Sequence, residues 1–223
     1  MDDLEIETKN TLQNPNTEQD LPASKVEEDI KRIELGKATP RVVLTEWASR
    51  LAKAERDARI DNLTGLFNRQ TFMGALERAV SVSRRLNIDL GLLFADVDGY
   101  KEVNDKYGHE VGDEVLRKIG QAIRESVREG DHPARYGGEE FGILLPGATS
   151  EDVEKVAERI RGAVGGIRLE NNPDLTVTVS IGATNLSGEE NAEVLLKRTD
   201  LAMYEAKRKG KNNVTYEGKT ENG

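Results

Sequence analysis

The sequence predicts an α/β domain, a central and mostly antiparallel sheet flanked by helices, with a helical stalk ahead of it. Two observations from the chain point there. From Asp61 onward, apolar runs of strand length alternate with segments of helical period. Their order, β-α-α-β-α-β-α-β, suits a sheet with helices packed on its faces, akin to a split βαβ arrangement. A third observation is length: 223 residues suffice for one domain of ordinary size with something left over.

Residues 1–22 are polar, contain Pro15 and Pro22 and show no apolar period, so they read as a disordered acidic tail. Over residues 1–36, ten acids against four bases account for −6 of the chain's net charge of −9. Ser24 to Glu27 forms a candidate capping box, followed by Val26, Ile30 and Ile33 at helical spacing and Gly36 as a stop. After Pro40 a stronger helix is expected to about Ile60. Leu44, Trp47, Leu51, Ala54 and Ala58 fall at alternating three- and four-residue steps, as in a short coiled-coil seam. Two readings stay open: a helix lying on its own domain, or a stalk that pairs two chains. Residues 23–60 are the candidate dimerisation segment, and they are too few to hold a sizeable sensor fold.

The domain proper is expected over residues 61–217. Helices are predicted at Asn68–Leu86, Tyr100–Tyr107, Gly112–Arg128, Ser150–Val164 and Asn191–Lys209. Strands are predicted at Ile88–Asp96, Glu139–Leu145, Leu175–Thr184 and Asn213–Glu217, the second closed by Pro146-Gly147. Residues 218–223 read as a frayed tail.

Composition removes several chemistries. With no cysteine, disulfides, thiolate zinc sites and thiol nucleophiles are excluded. His109 and His132 are the only histidines, so a metal must be held by oxygen ligands, which favours magnesium, manganese or calcium. The 41 acids against 32 bases argue against nucleic acid or an anionic membrane as partner. No apolar run approaches the roughly 18 residues of a spanning helix, and the acidic start is unlike a signal peptide. A cytoplasmic setting is expected.

Two patterns carry candidate chemistry. Asp96-Val97-Asp98 closes the first long strand, where carboxylates project into the crevice in which open sheets bind ligands. The pair could hold a hard cation or be two solvated turn acids. Gly137-Gly138-Glu139-Glu140-Phe141 puts paired glycines before paired acids. Glycine lets backbone turn and approach a ligand with no Cβ in the way, and the two acids then alternate faces. The residues alone also allow a plain hairpin with polar edges.

The segment GGEEF at 137–141 resembles the signature of the GGDEF domain, the diguanylate cyclases that condense two GTP into cyclic di-GMP. Four other segments agree in order: DNLTGLFNR at 61–69, DVDGYKEVND at 96–105, GHEVGDEVL at 108–116 and YEAKRKGKN at 204–212. The resemblance implies the βααββαβ fold of nucleotidyl cyclases. It also implies two magnesium ions (manganese is possible) held by Asp96, the Val97 carbonyl and Glu139, with Glu140 sharing the work. Glu139 is similar to the residue proposed as general base, although a coordinated carboxylate is a poor base.

By the same resemblance, Asn104 and Asp113 read guanine, and Gly137 and Gly138 admit the phosphates. Lys101, Lys207 and Lys211 neutralise them; Lys211 stands where many relatives carry arginine, which turns a bidentate contact into a point charge. His109 is either a substrate contact or a capping histidine. Arg128 and Asp131 resemble the family's inhibitory product site, to which Arg159 is a candidate addition; RxxD alone is usually a surface ion pair. The activity implied requires a homodimer. The rivals are a catalytically silent cyclic di-GMP receptor and a cyclase of other nucleotide preference, against which Asp113 speaks.

Overall fold

The computed structural model describes residues 23–46 and 59–218. The chain divides into two units, Met1–Ala58 and Arg59–Gly223. The expected tail at 1–22, all but Gly218 of the one at 218–223, and the seam residues Trp47, Leu51, Ala54 and Ala58 lie outside the described residues.

In the first unit, α1 spans Ala23–Glu34 and starts ahead of Ser24, so the expected capping box falls inside its first turn. Gly36 ends it as expected, in the left-handed region at φ 65°, with its N–H on the Ile33 carbonyl. Helix α2 is described over residues 40–46. Thr39 caps it, accepting the Val42 N–H, and Pro40 occupies the first helical position, where no N–H is needed. Arg32 joins the two helices by pairing with Asp29 at 2.7 Å and Glu46 at 3.0 Å. Val43 is buried while the seam residue Leu44 is 61% exposed. Ile60, about which the helix was expected to end, forms an antiparallel bridge with Phe67.

The second unit contains β1 (Phe67–Asn68), α3 (Arg69–Leu86), β2 (Leu90–Val97), α4 (Tyr100–Tyr107) and α5 (His109–Glu125). There follow β3 (His132–Arg135), β4 (Glu140–Pro146), α6 (Ser150–Gly165), β5 (Val179–Asn185), α7 (Ala192–Arg208) and β6 (Val214–Glu217). Among the described residues the sheet runs β1-β3-β4-β2-β5-β6. The inner pairs β3–β4, β4–β2 and β2–β5 are antiparallel, and the outer pairs β1–β3 and β5–β6 are parallel. The expected mixed α/β architecture with a mostly antiparallel sheet is therefore present.

Period-two alternation along β2 splits the core into two layers. Leu93, Ala95 and Val97 face a cluster with Val115 and Ile119 of α5, Val153 and Ile160 of α6, and Ile143 of β4. Leu90 and Leu92 face the other way, onto Phe72, Leu76 and Val80 of α3 and Leu195 of α7. Every residue of β2 is buried, which is why it reads as a continuous apolar run that ends in an acid.

Sequence patterning misses two strands. β1 has two residues and β3 four, including Pro133, so neither produces an alternating run. Within β3, β1 pairs with Ala134 and Arg135 and leaves Pro133 outside the parallel ladder. The segment 175–178 was expected in β5 but is not strand, because β2, its partner, ends with Val97 opposite Val179. Helix α5 starts at His109, three residues early, directly after Gly108 at φ 86°.

Truncating Leu93, fully buried at the centre of β2, to alanine should cost about 2–5 kcal/mol. Urea denaturation should show a lower midpoint with an unchanged slope.

Candidate active site

The buried end of β2 sets the site. Asp96 is 8% exposed and lies in register between Glu140 of β4 and Ser180 of β5, so the three side chains share one face. The last full turn of α7 delivers Lys207, whose Nζ is 2.8 Å from Asp96 Oδ1. Burial pushes the Asp96 carboxyl above its ordinary range even though Lys207 pulls it down. Glu140 is also raised, first by burial and then by repulsion from Asp96, Asp200 and Glu139.

Glu139 does not join that pair. It lies in the turn just ahead of β4, and its carbonyl accepts the Val97 N–H at 3.2 Å. Among the described residues no three His, Asp or Glu side chains are grouped to hold a metal by themselves. Of the expected metal set, Asp96 and Glu140 lie in register on one face, while Val97 and Glu139 meet through their backbones. The donors still fit a hard divalent cation. They are oxygens, and the two carboxyls, both raised first by burial and Glu140 then by the Asp96 charge, have Lys207 as a cation that only partly offsets them.

Between β3 and β4 the signature forms a tight turn, with the N–H groups of Tyr136 and Gly137 both on the Glu140 carbonyl, at 2.8 and 3.2 Å. Neither Gly137 nor Gly138 has positive φ, so the turn does not need glycine for the reason the sequence suggests. A Cβ at Gly137 would come within 2.5 Å of Glu140 Oε2, whereas one at Gly138 would meet nothing within 4 Å. Gly138 therefore keeps a bare approach to its backbone.

Arg135, which sequence reasoning passed over, braces this turn. It donates to the Gly138 carbonyl at 2.8 Å and pairs with Asp61 at 3.3 Å. Burial would raise the Asp61 carboxyl, but the Thr64 hydroxyl and N–H with Arg135 outweigh it and hold it below the ordinary aspartate value. The signal in sequence was the segment beginning at Asp61, whose structural role needed a cation that lies 74 residues later.

Asn104 on α4 and Asp113 on α5 are brought together by Gly112. A Cβ there would lie 2.0 Å from Asn104 Oδ1, so the bare glycine leaves the room that the Asn104 side chain occupies. The Asn104 amide oxygen is buried with no hydrogen-bond partner, which is costly unless something else supplies a donor. Asp113 has a half-exposed side chain 4.0 Å from Arg117. His109 and Lys101 are exposed, His109 at the start of α5 and Lys101 in the first turn of α4.

The second acid of the DVD motif is not a solvated turn acid. Asp98 accepts from the Thr178 hydroxyl at 2.8 Å, the Ser180 hydroxyl at 2.7 Å and the Asn212 N–H at 2.8 Å. Lys211 is exposed in the loop that Asn212 anchors.

At the far end of β4 lies a separate cavity of about 200 Å³, lined by Arg128, Asp131, Lys155 and Arg159 among others. Arg128 pairs with the buried Asp131 at 3.2 Å and donates to the Pro146 carbonyl at 2.6 Å. Arg159 donates to the Ser126 carbonyl at 2.7 and 2.9 Å. The three residues expected at a second site do share one cavity.

A mixed sheet that sets an acid pair beside a glycine-paired turn is the architecture of the diguanylate cyclase class, and the model of the "Diguanylate cyclase, GGDEF domain" family matches residues 58–213. The chain belongs to that family. It is 41% identical over 157 residues to the diguanylate cyclase DosC of Escherichia coli, covering 70% of this chain and 34% of that protein. It thus spans about a third of the length of this curated relative. The crystal structure of the coiled coil and GGDEF domain of DgcB from Caulobacter crescentus in complex with c-di-GMP superposes with a TM-score of 0.77. That likeness has 29% identity and covers 83% of this chain and all of the other. The diguanylate cyclase SiaD in complex with its activator SiaC from Pseudomonas aeruginosa gives 0.71 at 32% identity, covering 87% and 75% of the two chains. Among the described residues no helix is long and apolar enough to cross a membrane.

The raised Glu140 carboxyl yields a stability test. Its folded value lies above the ordinary 4.5, so its ionisation disfavours the fold as pH rises through and above that range. Glu140→Gln removes this penalty. The variant should melt above the wild type near about pH 7 and level with it near about pH 4. Millimolar magnesium should narrow the gap by raising the wild type, as followed by thermal melting.

Proposed function

We propose that this chain is a diguanylate cyclase, condensing two GTP into cyclic di-GMP and two pyrophosphates across a homodimer. The observation that carries the reading is the orphaned, buried oxygen of Asn104 beside Asp113. It is an acceptor awaiting a donor, at the position where the family resemblance puts guanine. Guanine offers the N1–H and N2–H donors; adenine offers no such pair, so Asp113 selects GTP.

In this reading Asp96, Glu140, the Val97 carbonyl and Glu139 hold divalent metal, magnesium or manganese, two per site. Bound metal neutralises the phosphates and lowers the pKa of the ribose 3′-hydroxyl. Glu139 accepts the 3′-hydroxyl proton in this reading, the role that the family resemblance gives it. The backbone around Gly138 admits a phosphate, and Lys101, Lys207 and Lys211 offset its charge. His109 stands at the rim of the guanine side. The 3′-hydroxyl of each GTP attacks the α-phosphate of the other, so two chains must face one another, and the protein's part is positioning and charge neutralisation.

The segment 23–60 pairs the chains in this proposal and raises the local concentration of the second site. Leu44, exposed on α2, supports it, as does the coiled coil of the DgcB structure. Cyclic di-GMP then binds back at Arg128, Asp131 and Arg159 as a feedback inhibitor, in a domain that works in the cytoplasm.

Purified protein with GTP and magnesium should form cyclic di-GMP by chromatography and mass. ATP should give no cyclic product, and Glu139→Gln should lower the rate by about 100-fold or more. If no product forms but cyclic di-GMP binds, the chain is a receptor and not an enzyme. Arg128→Ala should weaken inhibition by added cyclic di-GMP about tenfold with the uninhibited rate kept, as read from product-inhibition curves.

A further inference from the structure

Asp98 binds nothing in the proposed reaction, yet it makes the most fully used carboxylate contact near the site. Two of its partners, Thr178 and Ser180, belong to the segment entering β5 and to β5 itself. The third, the Asn212 N–H, lies 114 residues away in sequence, on the loop that follows α7. That loop is conformationally expensive. Gly210, Lys211 and Asn212 stand consecutively in the left-handed region, at φ 117°, 64° and 44°. Glycine adopts such angles freely and asparagine tolerates them, but lysine gains nothing from them locally. Strain of this kind persists only where surrounding contacts fix the backbone. Besides Asp98, the loop is held by Arg161, which donates to Asn212 Oδ1 at 2.9 Å, and by the Ile181 N–H on the Asn213 carbonyl at 2.9 Å.

The consequence falls on Lys211. Its charge acts on Asp96 across the site, together with that of Lys207 from the same helix end. We infer that Asp98 is a positioning residue for triphosphate binding: its carboxylate ties the loop at 210–212 to the sheet and so fixes the Lys211 ammonium beside Asp96. Lysine is a flexible point charge with no fork geometry of its own, so the backbone that carries it decides where the charge sits. This inference rests on reading the site as one for GTP.

The test compares equilibrium binding of GTP and GMP, with magnesium, by wild type, Asp98→Asn, Lys211→Ala and the double variant. Asparagine keeps the size but turns one acceptor into a donor that opposes the Asn212 N–H. Each single variant should weaken GTP about tenfold and GMP by less than about twofold, because GMP lacks the outer phosphates. The double variant should be no weaker than the weaker single, since both changes remove the same contact. Thr178→Val with Ser180→Ala cuts the sheet end of the same tie; it should weaken GTP in the same selective way, and it decides the matter if Asp98→Asn does not fold. Losses that multiply in the double variant, unchanged GTP binding in Asp98→Asn, or equal losses for GTP and GMP would overturn the inference. Failure of the wild type to bind GTP would overturn the reading of the site itself and this inference with it, whereas tight wild-type binding that Asp98→Asn leaves intact overturns this inference alone.

Discussion

The structure is organised around a carboxylate held where a charge is hard to hold. Asp96 is the penultimate residue of a strand buried along its whole length, and burying a carboxylate without a partner costs several kcal/mol. The neighbouring elements answer that cost in different ways. Helix α7 runs 17 residues to bring Lys207 within 2.8 Å. β4 adds Glu140 in register, which worsens the repulsion and makes the place attractive to a cation. Arg135 and Asp61 brace the turn from one side, and Asp98 ties down the lysine-bearing loop from the other.

Much of this was legible in the chain. The helices and the long strands follow from period and from Gly, Pro and Asn at their ends, as with Asn68 and Asn191, whose side chains accept N–H groups from the first turns of α3 and α7. The motif segments converge on one edge of the sheet. What stayed hidden depends on partners distant in sequence. β3 is visible only once β4 and β1 pair with it, and the strand ending at Val97 decides where β5 begins. The need for Gly112 lies in an asparagine eight residues earlier on another helix, and that for Gly137 in the Glu140 side chain, not in φ.

The two recognition regions have opposite chemistry. The acid pair at one edge repels itself and calls for cations, while the cavity beside Asp131 gathers Arg128, Lys155 and Arg159 around a single buried acid. Arginine there is already directed by carbonyls, Pro146 for Arg128 and Ser126 for Arg159, so little side-chain freedom is left to lose when an anion arrives.

Those two regions are opposite ends of one strand. β4 begins at Glu140 and finishes at Pro146, whose carbonyl Arg128 grips. Seven residues make a beam about 20 Å long, clamped by antiparallel neighbours on both sides. Such a beam neither stretches nor bends appreciably. The carbonyl that directs Arg128 and the carboxyl that stands beside Asp96 therefore belong to one backbone run, paired on both sides from end to end.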